Sequence, residues 1–180
     1  MRKPRAARLL DAEGLWQFSL KILGGRARST SELRQKLRAR AERAGDVDAT
    51  VARLKELGYL DEKRFAETYA SARLENEGFG KIRVLRDLRA RRVAPAMAER
   101  AVQKLYQNVD EAALIEDYIR RKYRSTPLLQ DDKDMASAYR KLLRAGFGPA
   151  NILRVLKRIA RNPELLDGFE PPAEIEEESS

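Results

Sequence analysis

One pattern constrains this chain more than any other. An apolar residue, an aspartate, three further residues and a second apolar residue recur three times. The pattern reads L-D-A-E-G-L at 10–15, L-D-E-K-R-F at 60–65 and V-D-E-A-A-L at 109–114, with aspartates at 11, 61 and 110. An aspartate in this position can cap a helix, because its carboxylate accepts from first-turn N–H groups that have no partner within the helix. The flanking apolar pair fits a hydrophobic staple, which fixes the angle at which the chain enters the helix. At the second site a helical pattern runs up to Leu57, and Gly58 suits the left-handed residue just past a helix end. Helices there stop and restart through a tight joint, with Leu60 and Phe65 as the staple. Recurrence at spacings of 50 and 49 predicts a helical repeat of about fifty residues.

Other segments support that period. L-R-A-R occurs at 37–40 and again at 88–91, a shift of 51. A shift of 54 places Pro95 on Pro149, Ala98 on Ile152 and Val102 on Leu156. Each proline suits the first helical position, where a missing N–H costs nothing. The expected division is a basic extension over 1–10, three-helix repeats over 11–60, 61–109 and 110–161, and an acidic tail over 162–180. Stacked through rigid joints, such units predict an all-α, elongated and curved array of three tandem three-helix repeats.

Within the first repeat, helices are expected over about 12–23, from Ser29 to near Gly45, and along Val47, Val51, Leu54 and Leu57. Ser29 and Glu32 form a capping-box pattern. In the second repeat the first helix stops before Gly78. The second turns Ile82, Leu85 and Leu88 inward, and the third starts at Pro95. In the third, Thr126 and Pro127 break the first helix, and two more follow over about 132–145 and 149–161. Abundant Ala, Leu, Arg, Lys and Glu suits helices, and no alternating strand pattern stands out.

Composition narrows function. The chain has neither His nor Cys, which removes the commonest general base and the thiol nucleophile. Asp131, Asp132 and Asp134 cluster at a helix start, where negative charge complements the dipole. That capping role is preferred to a divalent metal site, which needs ligands converging from separate elements. Gly78-Phe79-Gly80-Lys81 lacks the upstream glycine and the Ser or Thr of a phosphate loop, and serves more simply as a helix stop and turn. The expectation is a non-enzyme with no catalytic residues, cofactor or metal. No apolar run reaches membrane-spanning length. The absence of Cys is compatible with a cytoplasmic setting.

Charge points to a partner. The whole chain carries +9, and residues 164–180 hold seven acids and no base, so residues 1–163 carry +16. A body that basic favours a polyanion or an acidic protein surface. The tail is expected to be disordered, either solubilising or in weak competition with polyanions for the basic body. The candidate contact residues are Arg26, Arg28, Lys36 and Arg38 around the second helix of the first repeat. Lys81, Arg83, Arg86 and Arg89 on the second helix of the second repeat complete the set. Aromatics do not alternate with these charges, so a base-stacking platform is poorly supported.

Four segments together, R-A-R-S-T-S-E-L-R-Q-K-L (26–37), L-G-Y-L-D-E-K-R-F-A (57–66), G-F-G-K-I-R-V-L-R-D-L (78–88) and R-A-G-F-G-P-A-N-I-L-R-V-L (144–156), resemble the RecX regulatory protein family. The resemblance covers about 15–161. One departure is visible: where the family usually has glycine before the apolar residue ending the second repeat's second helix, Arg92 precedes Val93. The resemblance implies a cytoplasmic modulator, usually negative, of the RecA recombinase, docking in the groove of the RecA–DNA filament. It also implies limits on ATP turnover, strand exchange and co-protease action in DNA repair and the SOS response. The R-x-R-S motif and the basic second-repeat helix become contact candidates by that analogy. The expected partners are the RecA nucleoprotein filament and, weakly and non-specifically, DNA, with no membrane and a monomeric chain. The alternative is a general nucleic-acid-binding protein whose basic face binds duplex directly.

Overall fold

The aspartates of the recurrent pattern cap three helices. In the computed structural model, which describes residues 9–122 and 132–160, the Asp11 carboxylate accepts from the Gly14 N–H at 2.8 Å. Asp61 accepts from Arg64 at 2.9 Å, and Asp110 from Ala112 at 2.9 Å and Ala113 at 3.3 Å. These caps open α1 (Ala12–Gly25), α4 (Glu62–Ala72) and α7 (Glu111–Lys122). Between them lie α2 (Thr30–Arg38), α3 (Ala44–Glu56), α5 (Lys81–Ala90) and α6 (Pro95–Tyr106), and after them α8 (Asp132–Arg144) and α9 (Pro149–Ile159). The described helices thus follow one another in three triples. A π-helical turn, Arg73–Glu77, extends α4. Among the described residues the only β pairing is an isolated bridge between Leu10 and Ala41.

Three helix ends share one geometry. After α3, the Tyr59 N–H reaches the Leu54 carbonyl at 2.9 Å and the Gly58 N–H reaches Lys55 at 3.0 Å, with Gly58 at φ 73°. This is a Schellman end, and its left-handed residue is the one with no Cβ to penalise. After α8 the same pair of bonds runs from Phe147 to Leu142 and from Gly146 to Leu143, with Gly146 at φ 89°. After α5 it runs from Val93 to Leu88 and from Arg92 to Arg89, but the left-handed residue is Arg92, at φ 58°. Arg92, the departure noted in the resemblance, therefore stands at a position whose backbone favours glycine.

By internal contacts the chain divides into two units: Met1–Ser71 with Leu85–Leu105, and Ala72–Val84 with Tyr106–Ser180. The middle triple is shared between them. The first unit has a core of Leu15, Leu33, Leu37, Val47, Val51, Leu54 and Leu60. The second is built on Ile115, Met135, Leu142, Phe147, Ile152 and Leu156, with Phe79 packed against it. Burying each such side chain contributes about 1.5–3 kcal/mol.

Some helix bounds and faces differ from those expected. Gly45 lies in the first turn of α3 and ends nothing, because α2 stops at Arg38. Leu57 stands exposed at the C-cap of α3. Ile82 is 57% exposed, while Val84 and Leu88 are fully buried. The inward face of α5 is therefore rotated from the expected one. Pro95 and Pro149 are the first residues of α6 and α9, as the repeat alignment requires. The break at Thr126 and Pro127, Asp131, the Asp132 side chain, most of the basic extension and the acidic tail lie outside the described residues.

Candidate polyanion-facing surface

The R-x-R-S turn is built from a helix end and a helix start. Arg26 is the exposed C-cap of α1. Arg28 is half-buried, and its Nε is buried with no hydrogen-bond partner among the described residues. Ser29 caps α2 through a full capping box: its Oγ accepts from the Glu32 N–H at 3.1 Å, and the Glu32 carboxylate accepts from the Ser29 N–H at 3.2 Å. The Ser29 hydroxyl also donates to the Arg91 carbonyl at 2.6 Å. The Glu32 carboxylate receives the Arg91 guanidinium at 3.2 Å, and that guanidinium lies 5.0 Å from the Tyr69 ring centre.

Folding within the first unit therefore ties the turn bearing Arg26 and Arg28 to the C-terminal end of α5. That end carries Arg86 and Arg89, both exposed. Arg89 also pairs with Glu99 at 3.0 Å, which offsets part of its charge. Lys36 and Arg38 are exposed in the last turn of α2. A cation there is stabilised by the negative end of the helix dipole whatever its partner. The other two candidates, Lys81 and Arg83, belong to the second unit. Lys81 is exposed at the start of α5, and Arg83 is half-buried, donating to the Arg144 carbonyl at 3.3 Å. The eight candidates thus fall into two groups.

Sequence reasoning missed Arg91 and Glu32 as the residues that hold this arrangement. The capping box was visible, but nothing local ties Glu32 to a residue 59 positions away. It also missed a set of cations in the second unit, where Lys122, Lys141 and Arg144 join Arg83 beside Phe79 and Tyr118. These come from separate helices, so no local alternation of charge and aromatic residues could reveal them.

Asp134 is exposed at the start of α8, consistent with a charge that complements the dipole. Among the described residues no group of three or more acids is placed to hold a metal ion. Nor is any described helix long and apolar enough to cross a membrane.

Comparison with known proteins places this architecture. Residues 16–54 match the family model described as "RecX, first three-helix domain", and residues 61–102 match "RecX, second three-helix domain". The chain is 32% identical to "Regulatory protein RecX" of Deinococcus radiodurans over 98% of its own length and 79% of that protein's. It is 29% identical to the protein of the same name from Escherichia coli strain SE11, over 88% of this chain and 96% of the other. The crystal structure of RecX from Lactobacillus salivarius superposes with a TM-score of 0.63 at 19% identity, covering 82% of this chain and 95% of that one. This last likeness concerns the fold.

Proposed function

The chain belongs to the RecX family of regulatory proteins, and on that premise we propose that it is a non-catalytic regulator that binds the RecA–DNA filament. Its three helical repeats, with boundaries at about 11–60, 61–109 and 110–161, supply a scaffold for cationic side chains. Its main effect is to restrain recombinase, ATPase and co-protease activity in DNA repair and the SOS response. The observation that carries this reading is the junction at Ser29, Glu32 and Arg91. It holds two basic segments, distant in sequence, on one folded unit. Such a surface suits a nucleoprotein filament, which presents phosphates beside protein.

The restraint needs no chemistry. A protein that binds one filament state more tightly than others shifts the equilibrium by that difference in affinity. The charge of +9 also supports a second reading, general binding to bare nucleic acid. The two separate in a titration of RecA's DNA-dependent ATP hydrolysis, run beside a direct measurement of binding to the same DNA. Suppression at concentrations well below those that coat the DNA is the expected result. Suppression only as the DNA saturates would favour the general binder.

A further inference from the structure

We propose that the second unit contains a phosphate-binding site for a nucleic-acid backbone, formed by Arg83, Lys122, Lys141 and Arg144 around Phe79 and Tyr118. These residues line a cavity of about 420 Å³, and among the described residues that line it there is no carboxylate. The cations arrive from three helices. Arg83 lies in the first turn of α5, Lys122 ends α7, and Lys141 and Arg144 occupy the last turn of α8.

Helix dipoles account for only part of this. A cation at the end of α7 or α8 faces the negative end of a helix and is stabilised there without any ligand. Arg83 is the reverse case. It sits at the positive end of α5, and that first turn carries no acid. The unfavourable position is nonetheless fixed. The guanidinium lies 5.2 Å from the Phe79 ring centre and donates to the Arg144 carbonyl. The backbone beneath it is held as well: the Gly80 N–H donates to the Ala145 carbonyl at 2.8 Å, and the Ile82 N–H to Gly146 at 3.1 Å. Tyr106 donates to the Phe79 carbonyl at 2.6 Å. Burial, and secondarily Glu111, push that hydroxyl's pKa up, which keeps it protonated as a donor.

Four cations that converge on one cavity, Arg83 among them held in place, repel one another, and an anion relieves that repulsion. Two guanidinium forks and two ammonium groups match the several oxygens of successive phosphodiesters. The Phe79 ring has Arg83 and Arg73 over it, at 5.2 and 5.8 Å from its centre. The ring therefore supports the guanidinium groups and is not offered to a base. The site reads backbone charge, not sequence. It deepens the polyanion-binding side of the proposed function, and its test contains no RecA, so its failure leaves the filament reading standing.

The test uses the full chain, a short labelled single-stranded oligothymidylate and, separately, polyglutamate. Lys122→Gln with Arg144→Gln, both at exposed residues, is expected to weaken oligothymidylate binding about tenfold at low salt. The log–log salt slope should fall by about 1.4, two contacts' worth for a single strand. Lys21→Gln with Lys55→Gln, exposed residues of the first unit, removes the same charge and should cost less than about threefold. The charge-keeping pair Lys122→Arg with Arg144→Lys should bind within about twofold of the unaltered protein. Equal losses from the two neutralised pairs would overturn the proposal. So would lost polyglutamate binding with oligothymidylate binding unchanged.

Discussion

Each unit positions its cations through a junction between distant segments, but the two junctions use opposite materials. In the first unit the tie is made of side chains: Ser29 to the Arg91 carbonyl, Glu32 to the Arg91 guanidinium, and that guanidinium over Tyr69. In the second it is made of backbone, where the segment around Gly80 hydrogen-bonds directly to the segment around Gly146. A Cβ on Gly80 would run into the Gly146 carbonyl and lie 2.7 Å from the Phe147 nitrogen. A Cβ on Gly146 would run into the backbone of Arg83. The side-chain tie can lose a member and keep its course, whereas the backbone tie leaves no room for any side chain. The first junction should therefore degrade gradually and the second fail abruptly.

Paired substitutions test that contrast. Gly80→Ala forces two backbones apart and should destabilise the protein by about 3 kcal/mol. Ser29→Ala removes a cap and one further hydrogen bond and should cost about 2 kcal/mol. Chemical denaturation followed by circular dichroism measures both. The contrast breaks if Gly80→Ala is the milder change.

A smaller effect of opposite sign is expected at the end of α5. Arg92 occupies a left-handed conformation that costs a residue with a Cβ about 1–2 kcal/mol. Glycine removes that strain but leaves the unfolded chain more freedom, which returns about 0.4–1 kcal/mol. Arg92→Gly should therefore stabilise the protein by about 0.5 kcal/mol, raising the melting temperature by about 1–2 °C. A fall in melting temperature would mean that the Arg92 side chain contributes contacts outweighing the strain.

The same contrast explains what was legible in the sequence. Features made within one turn of helix could be read directly: the caps at Asp11, Asp61 and Asp110, the capping box at Ser29, the prolines opening α6 and α9, and the left-handed Gly58. Features made between segments could not. Gly78 and Gly80 could be read only as a helix stop and turn. Gly78 does fill that role, at φ 65°, but Gly80 is needed because Gly146 passes against it. The inward face of α5 was misplaced for a related reason. Ile82, Leu85 and Leu88 fit a helical stripe, but so do Val84 and Leu88, and only the tertiary contacts choose between them. Among the candidate site residues the sequence offered cations, but it did not show that Arg83 and Arg86, three positions apart on α5, belong to different units.

The most direct test of the account is the affinity of the RecA–DNA filament for Arg26→Gln with Arg86→Gln. Both residues are exposed, one on each of the segments that the Ser29–Arg91 junction joins. Measured near physiological salt, the double variant should bind about tenfold more weakly than the unaltered protein, with its helicity retained and a shallower salt dependence. Equal affinity for the filament would contradict the claim that this folded basic surface is where the regulator meets its target.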